Sequence, residues 1–81
     1  MFKALRIAYS NSAKAFLEKI EVEQSAKIKR AIRKMPDGDI KRIQGSENRY
    51  RLRLGGIRVL FERNGYKLDI VKIDNRGDVY K

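Results

Sequence analysis

The spacing of the apolar residues changes at Pro36, and this change constrains the fold more than any other feature of the sequence. Ser10, Asn11 and Ser12 can cap a helix with their side-chain oxygens. Apolar residues then recur every three or four positions, as on one face of a helix. They form two groups: Ala13, Phe16, Leu17 and Ile20, then Ile28, Ala31, Ile32 and Met35. Two amphipathic helices are predicted, the second ending at Pro36-Asp37-Gly38-Asp39.

After Pro36 apolar and polar residues alternate, which is the pattern of half-buried strands. Strands are predicted from about residues 49, 57 and 66, because Gly55-Gly56 and Asn64-Gly65 are two-residue hairpin signals. Two further short strands are predicted at the alternating start of the chain (Phe2, Leu5, Ile7) and near residues 40–43. The whole chain, residues 1–81, is expected to form one α+β domain, with two N-terminal helices packed on one face of a mainly antiparallel sheet.

The charge of the chain points to a polyanionic partner. Twenty lysines and arginines against ten acidic residues give a net charge of +10, which attracts nucleic acid and releases its counterions. The alternative is that the charge only keeps a small protein soluble. With no cysteine or histidine, neither a disulfide nor a zinc site is expected. No signal peptide or membrane-spanning run is visible, so we expect a soluble cytoplasmic protein without a metal or other cofactor.

The first hairpin brings arginines together. A two-residue loop at Gly55-Gly56 places Leu54 opposite Ile57, Leu52 opposite Val59, and Arg53 opposite Arg58. Arg51, Arg53 and Arg58 then share the sheet face away from the helices. Like charges opposite one another destabilise a sheet, so folding alone does not favour this arrangement. Guanidinium groups hold phosphate through paired hydrogen bonds, so the three arginines are predicted to bind phosphate. The alternative is that they are only exposed residues of a solvated face.

Other basic residues are candidate RNA contacts, although exposed lysines and arginines are also ordinary occupants of a solvated surface. These candidates are Lys27, Lys29, Arg30, Arg33, Arg49 and Lys81. Arg76 and Tyr80 follow a turn signal at Asn75 and Gly77. A tyrosine in this position can stack on an unstacked base, or it can simply pack or fray near the end of the chain.

The second half of the chain resembles the RelE/ParE superfamily of toxins from toxin-antitoxin systems. The resemblance is carried by residues 50–61, YRLRLGGIRVLF, and residues 75–80, NRGDVY. The two preceding helices also match, so the likeness covers nearly the whole chain. It implies a RelE-like, microbial RNase-type fold.

RelE-type members bind in the ribosomal A site and cut messenger RNA without a metal: a ribose 2′-hydroxyl attacks the adjacent phosphate and leaves a 2′,3′-cyclic end. The resemblance therefore implies three partners, namely the 30S A site of the ribosome, messenger RNA and a cognate antitoxin. The candidate catalytic residues, carried over by position, are Arg51, Arg53, Arg58, Arg76 and Tyr80.

The residue types suggest roles for these five positions. Arg51 and Arg58 would hold the scissile phosphate and offset its developing charge. Tyr80 would orient the base or sugar. Arg76 would stabilise the leaving 5′-oxygen electrostatically, since arginine gives up its proton poorly. Relatives often carry lysine where Arg51 and Arg53 stand, and without histidine the chain offers no evident general base. Distortion of the messenger by the ribosome would then supply the reactive geometry.

Two other functions compete with this reading. The ParE branch shares the fold and poisons DNA gyrase, but it has no need of Arg58, Arg76 and Tyr80. A non-catalytic RNA-binding regulator would account for the lack of a general base.

Overall fold

The computed structural model describes residues 6–35 and 37–75. The elements in chain order are β1 (Arg6–Tyr9), α1 (Asn11–Lys19), α2 (Val22–Arg33), β2 (Asp39–Arg42), β3 (Arg49–Leu54), β4 (Ile57–Asn64) and β5 (Lys67–Asn75). The strands described form one sheet in the order β1-β5-β4-β3-β2.

Ser10 begins α1 as the sequence predicts. Its Oγ accepts a hydrogen bond from the Ala13 N–H at 3.0 Å and donates one to the Val71 carbonyl at 2.6 Å. The cap therefore satisfies one of the free N–H groups at the start of the helix and also ties that start to β5. α2 ends at Arg33, three residues before Pro36, and no side chain caps its start at Glu21.

The predicted arrangement of helices and sheet is wrong in two respects. The helices are not N-terminal, because the short strand expected at the start of the chain precedes them as β1, and the sheet is mixed rather than mainly antiparallel. Phe2 and Leu5 of that expected strand lie outside the described residues. β1 runs parallel to β5, with Arg6 opposite Lys67 and Tyr9 opposite Ile70, whereas β2, β3, β4 and β5 pair antiparallel. A period-two pattern indicates which side chains face the core, but it carries no information on a strand's neighbour or direction.

Both helices bury their apolar stripes against one face of the sheet. The core residues are Ala13, Leu17, Ile28, Ile32 and Met35 from the helical half, with Leu52, Ile57, Val59, Phe61, Leu68, Ile70 and Ile73 from the sheet. Tyr50 stacks on Phe61 across β3 and β4, with ring centroids 5.5 Å apart. Within the described residues no element covers the opposite face, which carries the polar residues of the strands.

The two hairpin turns differ in how well the sequence locates them. Gly55-Gly56 forms the first loop, with Gly55 at φ +57°, and Leu54 pairs with Ile57 as predicted. The second loop is Gly65-Tyr66 rather than Asn64-Gly65, since Asn64 pairs with Lys67. Gly65 has φ +64°, a left-handed conformation that glycine adopts without strain.

Candidate functional site

Three arginines converge on the face away from the helices. Arg53 lies directly opposite Arg58, and Arg51 lies between Lys41 of β2 and Leu60 of β4. Their strand neighbours Leu52 and Val59 are fully buried on the other face, so the side chains of the arginines belong to the open face. The predicted register of this hairpin is confirmed. We call Arg51, Arg53 and Arg58 the arginine cluster.

Acidic residues accompany the arginines, and the pattern of the sequence does not predict them. Asp74 of β5 pairs with Arg58, with Nη2 and Oδ2 3.3 Å apart. Asp39 of β2 lies opposite Arg53, with Nε and Oδ2 4.0 Å apart. The cluster is therefore partly neutralised, and Arg58 lies between a cation on β3 and an anion on β5.

The cluster contains buried polar atoms that lack a partner. These atoms are Arg51 Nε, Arg58 Nε and Asp74 Oδ1, none of which makes a hydrogen bond within the described residues. A buried polar atom without a partner costs about 1–3 kcal/mol, so this arrangement is not optimised for stability. The exposed N–H groups of the same guanidinium groups are donors that suit the oxygens of a phosphate group.

The spacing of apolar residues in β5 holds a signal for the position of Asp74. Leu68, Ile70 and Ile73 are all buried, at a spacing of two and then three. The extra residue forms a β-bulge, because Phe61 pairs with Ile70 whereas Leu60 pairs with Lys72. The bulge keeps Ile73 in the core and brings Asp74 opposite Arg58. A spacing of three within a strand could have indicated this.

The structure does not bring the basic residues of α2 to the arginine cluster. Lys27, Lys29, Arg30 and Arg33 are exposed, but α2 packs on the opposite face of the sheet. Lys29 and Arg33 lie near the junction of the helices, where they line a second cavity together with Tyr9.

Lys27 and Arg30 line a groove of about 590 Å³ between α2 and the Gly55-Gly56 turn. Its apolar lining is Ile28, Ala31, Leu54 and Ile57, and its charged lining residues are Lys27, Arg30 and Lys34. No acidic residue lines it in the described part of the chain. We call it the α2 groove.

Arg49 is engaged by an acidic partner. It lies on the open face of β3 but makes two close contacts with Glu62 Oε2, at 2.7 Å from Nη2 and 2.9 Å from Nε. Its guanidinium is thus less free to meet RNA than a solvated arginine would be.

Three predicted site residues lie outside the described residues: Arg76, Tyr80 and Lys81. Asn75, the last residue described before them, pairs with Ile57, one position beyond the Arg58–Asp74 pair.

Among the described residues, Tyr9 and Asp69 have shifted pKa values. Burial raises the pKa of Tyr9, and the nearby charge of Arg33 opposes this shift. The hydrogen bond donated by Asn64, followed by that of Lys67, lowers the pKa of Asp69. Neither residue belongs to the arginine cluster.

No helix within the described residues is long and apolar enough to cross a membrane.

Solved structures with a similar fold come from toxin-antitoxin complexes, although no family model and no curated protein matches the sequence. A chain of the RelB-RelE complex from Methanococcus jannaschii matches with a TM-score of 0.73 and 24% identity, over 90% of this chain and 94% of that one. A toxin-antitoxin complex of the RelBE type from Mycobacterium tuberculosis gives 0.71 and 17%, over 88% and 96%. The RelE-RelB complex from Pyrococcus horikoshii gives 0.70 and 20%, over 95% and 98%. These likenesses establish that the chain has a RelE-like fold.

Proposed function

We propose that this protein is the toxin of a toxin-antitoxin system and that it cuts messenger RNA in the ribosomal A site. The observation that carries the proposal is the arginine cluster on the open face, where Arg53 stands opposite Arg58 although like charges in that position destabilise a sheet. Residues whose placement destabilises the fold are expected at functional sites. The RelE-like fold, seen in solved toxin-antitoxin complexes, supports this proposal.

The chemistry fits the residues of the cluster. In the proposed reaction a ribose 2′-hydroxyl gives up its proton to water and its oxygen forms a bond to the adjacent phosphorus. The bond from phosphorus to the 5′-oxygen breaks, and that oxygen takes up a proton from water. Negative charge builds up on the phosphate oxygens during this step. Arg51 and Arg58 lie on the open face of the sheet, and the exposed N–H groups of their guanidinium groups would donate hydrogen bonds to these oxygens and stabilise that charge.

Proton transfer is the weak part of the site's chemistry. Arginine stays protonated at physiological pH, and the chain has no histidine. We therefore propose that the ribosome supplies an in-line geometry of the messenger, which by itself removes a large part of the barrier. The protein is then expected to be nearly inactive on free RNA.

The α2 groove is the surface that we assign to the antitoxin. Its apolar lining and basic rim complement an acidic amphipathic segment, and such segments recognise grooves through apolar anchors. The groove lies on the helical side of the sheet, so its occupant need not touch the arginine cluster directly. This separation allows antitoxin binding and RNA cleavage to be tested by different variants.

Cleavage of a short messenger on purified, programmed ribosomes tests the function. Arg58→Ala should slow cleavage by about 10²-fold or more if the arginine stabilises the transition state. Lys14→Ala is the matched control, since it removes one positive charge from the exposed face of α1, and its rate should stay at the wild-type level. An Arg58→Ala protein that is folded and cleaves at the wild-type rate would refute the proposal.

A further inference from the structure

The pair formed by Arg58 and Asp74 is an ion pair with a single contact between neighbouring strands of the sheet. The residues lie directly opposite each other on β4 and β5, and their side chains are 29% and 22% exposed. Only one contact joins them, between Nη2 and Oδ2 at 3.3 Å. Arg58 Nε and Asp74 Oδ1, which would complete a two-bond pair, both lack a partner within the described residues.

The same sheet contains a closer pair for comparison. Arg49 and Glu62 also lie opposite each other, on β3 and β4. There two nitrogens of the guanidinium make short contacts with one carboxylate oxygen, Oε2, at 2.7 and 2.9 Å. The Arg58–Asp74 pair is more buried than this one but less well formed. Asp74 contacts one nitrogen of the Arg58 guanidinium. The buried Nε–H of Arg58 has no acceptor within the described residues.

A carboxylate beside a phosphate site has two opposing effects. It repels the phosphate and so weakens ground-state binding, since like charges at close range disfavour one another. The carboxylate also restrains the arginine side chain, which otherwise has many rotamers. Correct orientation of a hydrogen-bond donor raises the reaction rate more than it raises the affinity for RNA. Removal of such a carboxylate should therefore slow the reaction without weakening the binding of RNA.

We propose that Asp74 is a positioning residue for the arginine cluster: its Oδ2 holds Arg58 by Nη2 and so fixes the direction in which the exposed part of this guanidinium meets the scissile phosphate. The inference rests on the proposed function, because it assigns Asp74 a part in the same reaction. Asp74 acts through Arg58, and no contact with RNA is assigned to it.

Asp39 provides a matched control. It faces Arg53 across β2 and β3 as Asp74 faces Arg58 across β4 and β5. The Asp39 contact is longer, at 4.0 Å, and its side chain is 50% exposed, so it does not restrain its arginine. Asp39→Ala and Asp74→Ala thus remove the same charge from the same face, but only the second removes a restraint.

The experiment measures ribosome-dependent cleavage and RNA binding for both variants. We expect Asp74→Ala to lower kcat by about 10- to 100-fold, whereas Asp39→Ala stays within about twofold of the wild type. In both variants a short labelled RNA should bind at least as tightly as to the wild type, and the slope of log affinity against log salt should steepen by about 0.7 for the uncovered cation. Asp74→Asn, which keeps an oxygen acceptor for Arg58, should retain more of the rate than Asp74→Ala.

Three outcomes would overturn the inference. If Asp74→Ala and Asp39→Ala have the same kcat, Asp74 positions nothing. If Asp74→Ala and Asp74→Asn lose rate and RNA affinity by the same factor, with a lowered melting temperature, Asp74 is merely structural. If the wild type does not cleave on the ribosome at all, the proposed function fails and this inference fails with it; the first two outcomes leave that function intact.

Discussion

Replacing Arg53 with glutamine should stabilise the fold while it weakens the site. Arg53 stands opposite Arg58 in the sheet, and glutamine keeps most of the side chain's length without its charge. The substitution relieves the repulsion between the two guanidinium groups. It also removes the long contact with Asp39, at 4.0 Å between exposed side chains.

The relief of the repulsion between Arg53 and Arg58 should outweigh the loss of the Asp39 contact. Like charges directly opposite on a sheet cost about 0.2–1 kcal/mol. Arg53 is 42% exposed, so solvent screens part of this repulsion, and the exposed Asp39 pair is worth little. We expect a net gain of about 0.5 kcal/mol, which in a domain of this size raises Tm by roughly 2–4 °C.

Thermal unfolding followed by circular dichroism measures the gain. In about 1 M salt the Debye length falls to roughly 3 Å, so the difference between variant and wild type should largely vanish. Arg49→Gln is the control from the same face of β3: it breaks the close pair with Glu62 and should lower Tm. If Arg53→Gln also lowers Tm, or if its gain does not respond to salt, the cluster is not electrostatically frustrated.

Other predictions test the core, the α2 groove and the pH dependence. Phe61 is 1% exposed, so Phe61→Ala should cost about 3–5 kcal/mol, measured by urea unfolding; a loss below 1 kcal/mol would contradict the described core. Lys34→Glu reverses a charge on the rim of the α2 groove and should prevent a co-expressed antitoxin from restoring growth, although cleavage is unchanged. Asp69 has a pKa lowered by Asn64 and Lys67, so its contribution to stability is present above its unfolded pKa, near 4, and is lost as the pH falls through the lowered value. The Tm of Asp69→Asn should therefore fall less than that of the wild type as the pH is lowered through this range. The same dependence of Tm on pH in both proteins would count against the contacts of Asp69 with Asn64 and Lys67.

The part of the site that the sequence predicts depends on one turn. Gly55-Gly56 is the actual loop of its hairpin, and no bulge interrupts the β3–β4 pairing. Loop length then determines the register, so the pairing of Arg53 with Arg58 follows from counting along the chain. The buried residues Leu52 and Val59 lie on the predicted face for the same reason.

The pairing of Asp74 with Arg58 could not be predicted, because two shifts in the register of β4 and β5 add together. The second loop lies one residue later than the asparagine-glycine signal suggests, which shifts the pairing by two residues, and the bulge near Val71 shifts it by one more. Counting from Asn64-Gly65 as the loop places Val71, rather than Asp74, opposite Arg58. Register errors accumulate in this way because each pair depends on every irregularity between it and the turn.

The parallel pairing of β1 with β5 has a different origin. Ile7 and Tyr9 alternate with Arg6 and Ala8 as in any half-buried strand, but the partner of β1 is about 60 residues away in the chain. Long-range packing, including the link from Ser10 to Val71, selects that partner. Local sequence patterns contain little information about such a choice.

We propose that the protein cuts messenger RNA during translation. Induction in growing bacteria, followed by primer extension on an abundant messenger with and without a drug that blocks translation initiation, tests it most directly. We expect cuts within codons that disappear when initiation is blocked and that are absent after induction of Arg58→Ala. Growth arrest with intact messenger and damaged DNA would contradict the claim and indicate gyrase poisoning instead.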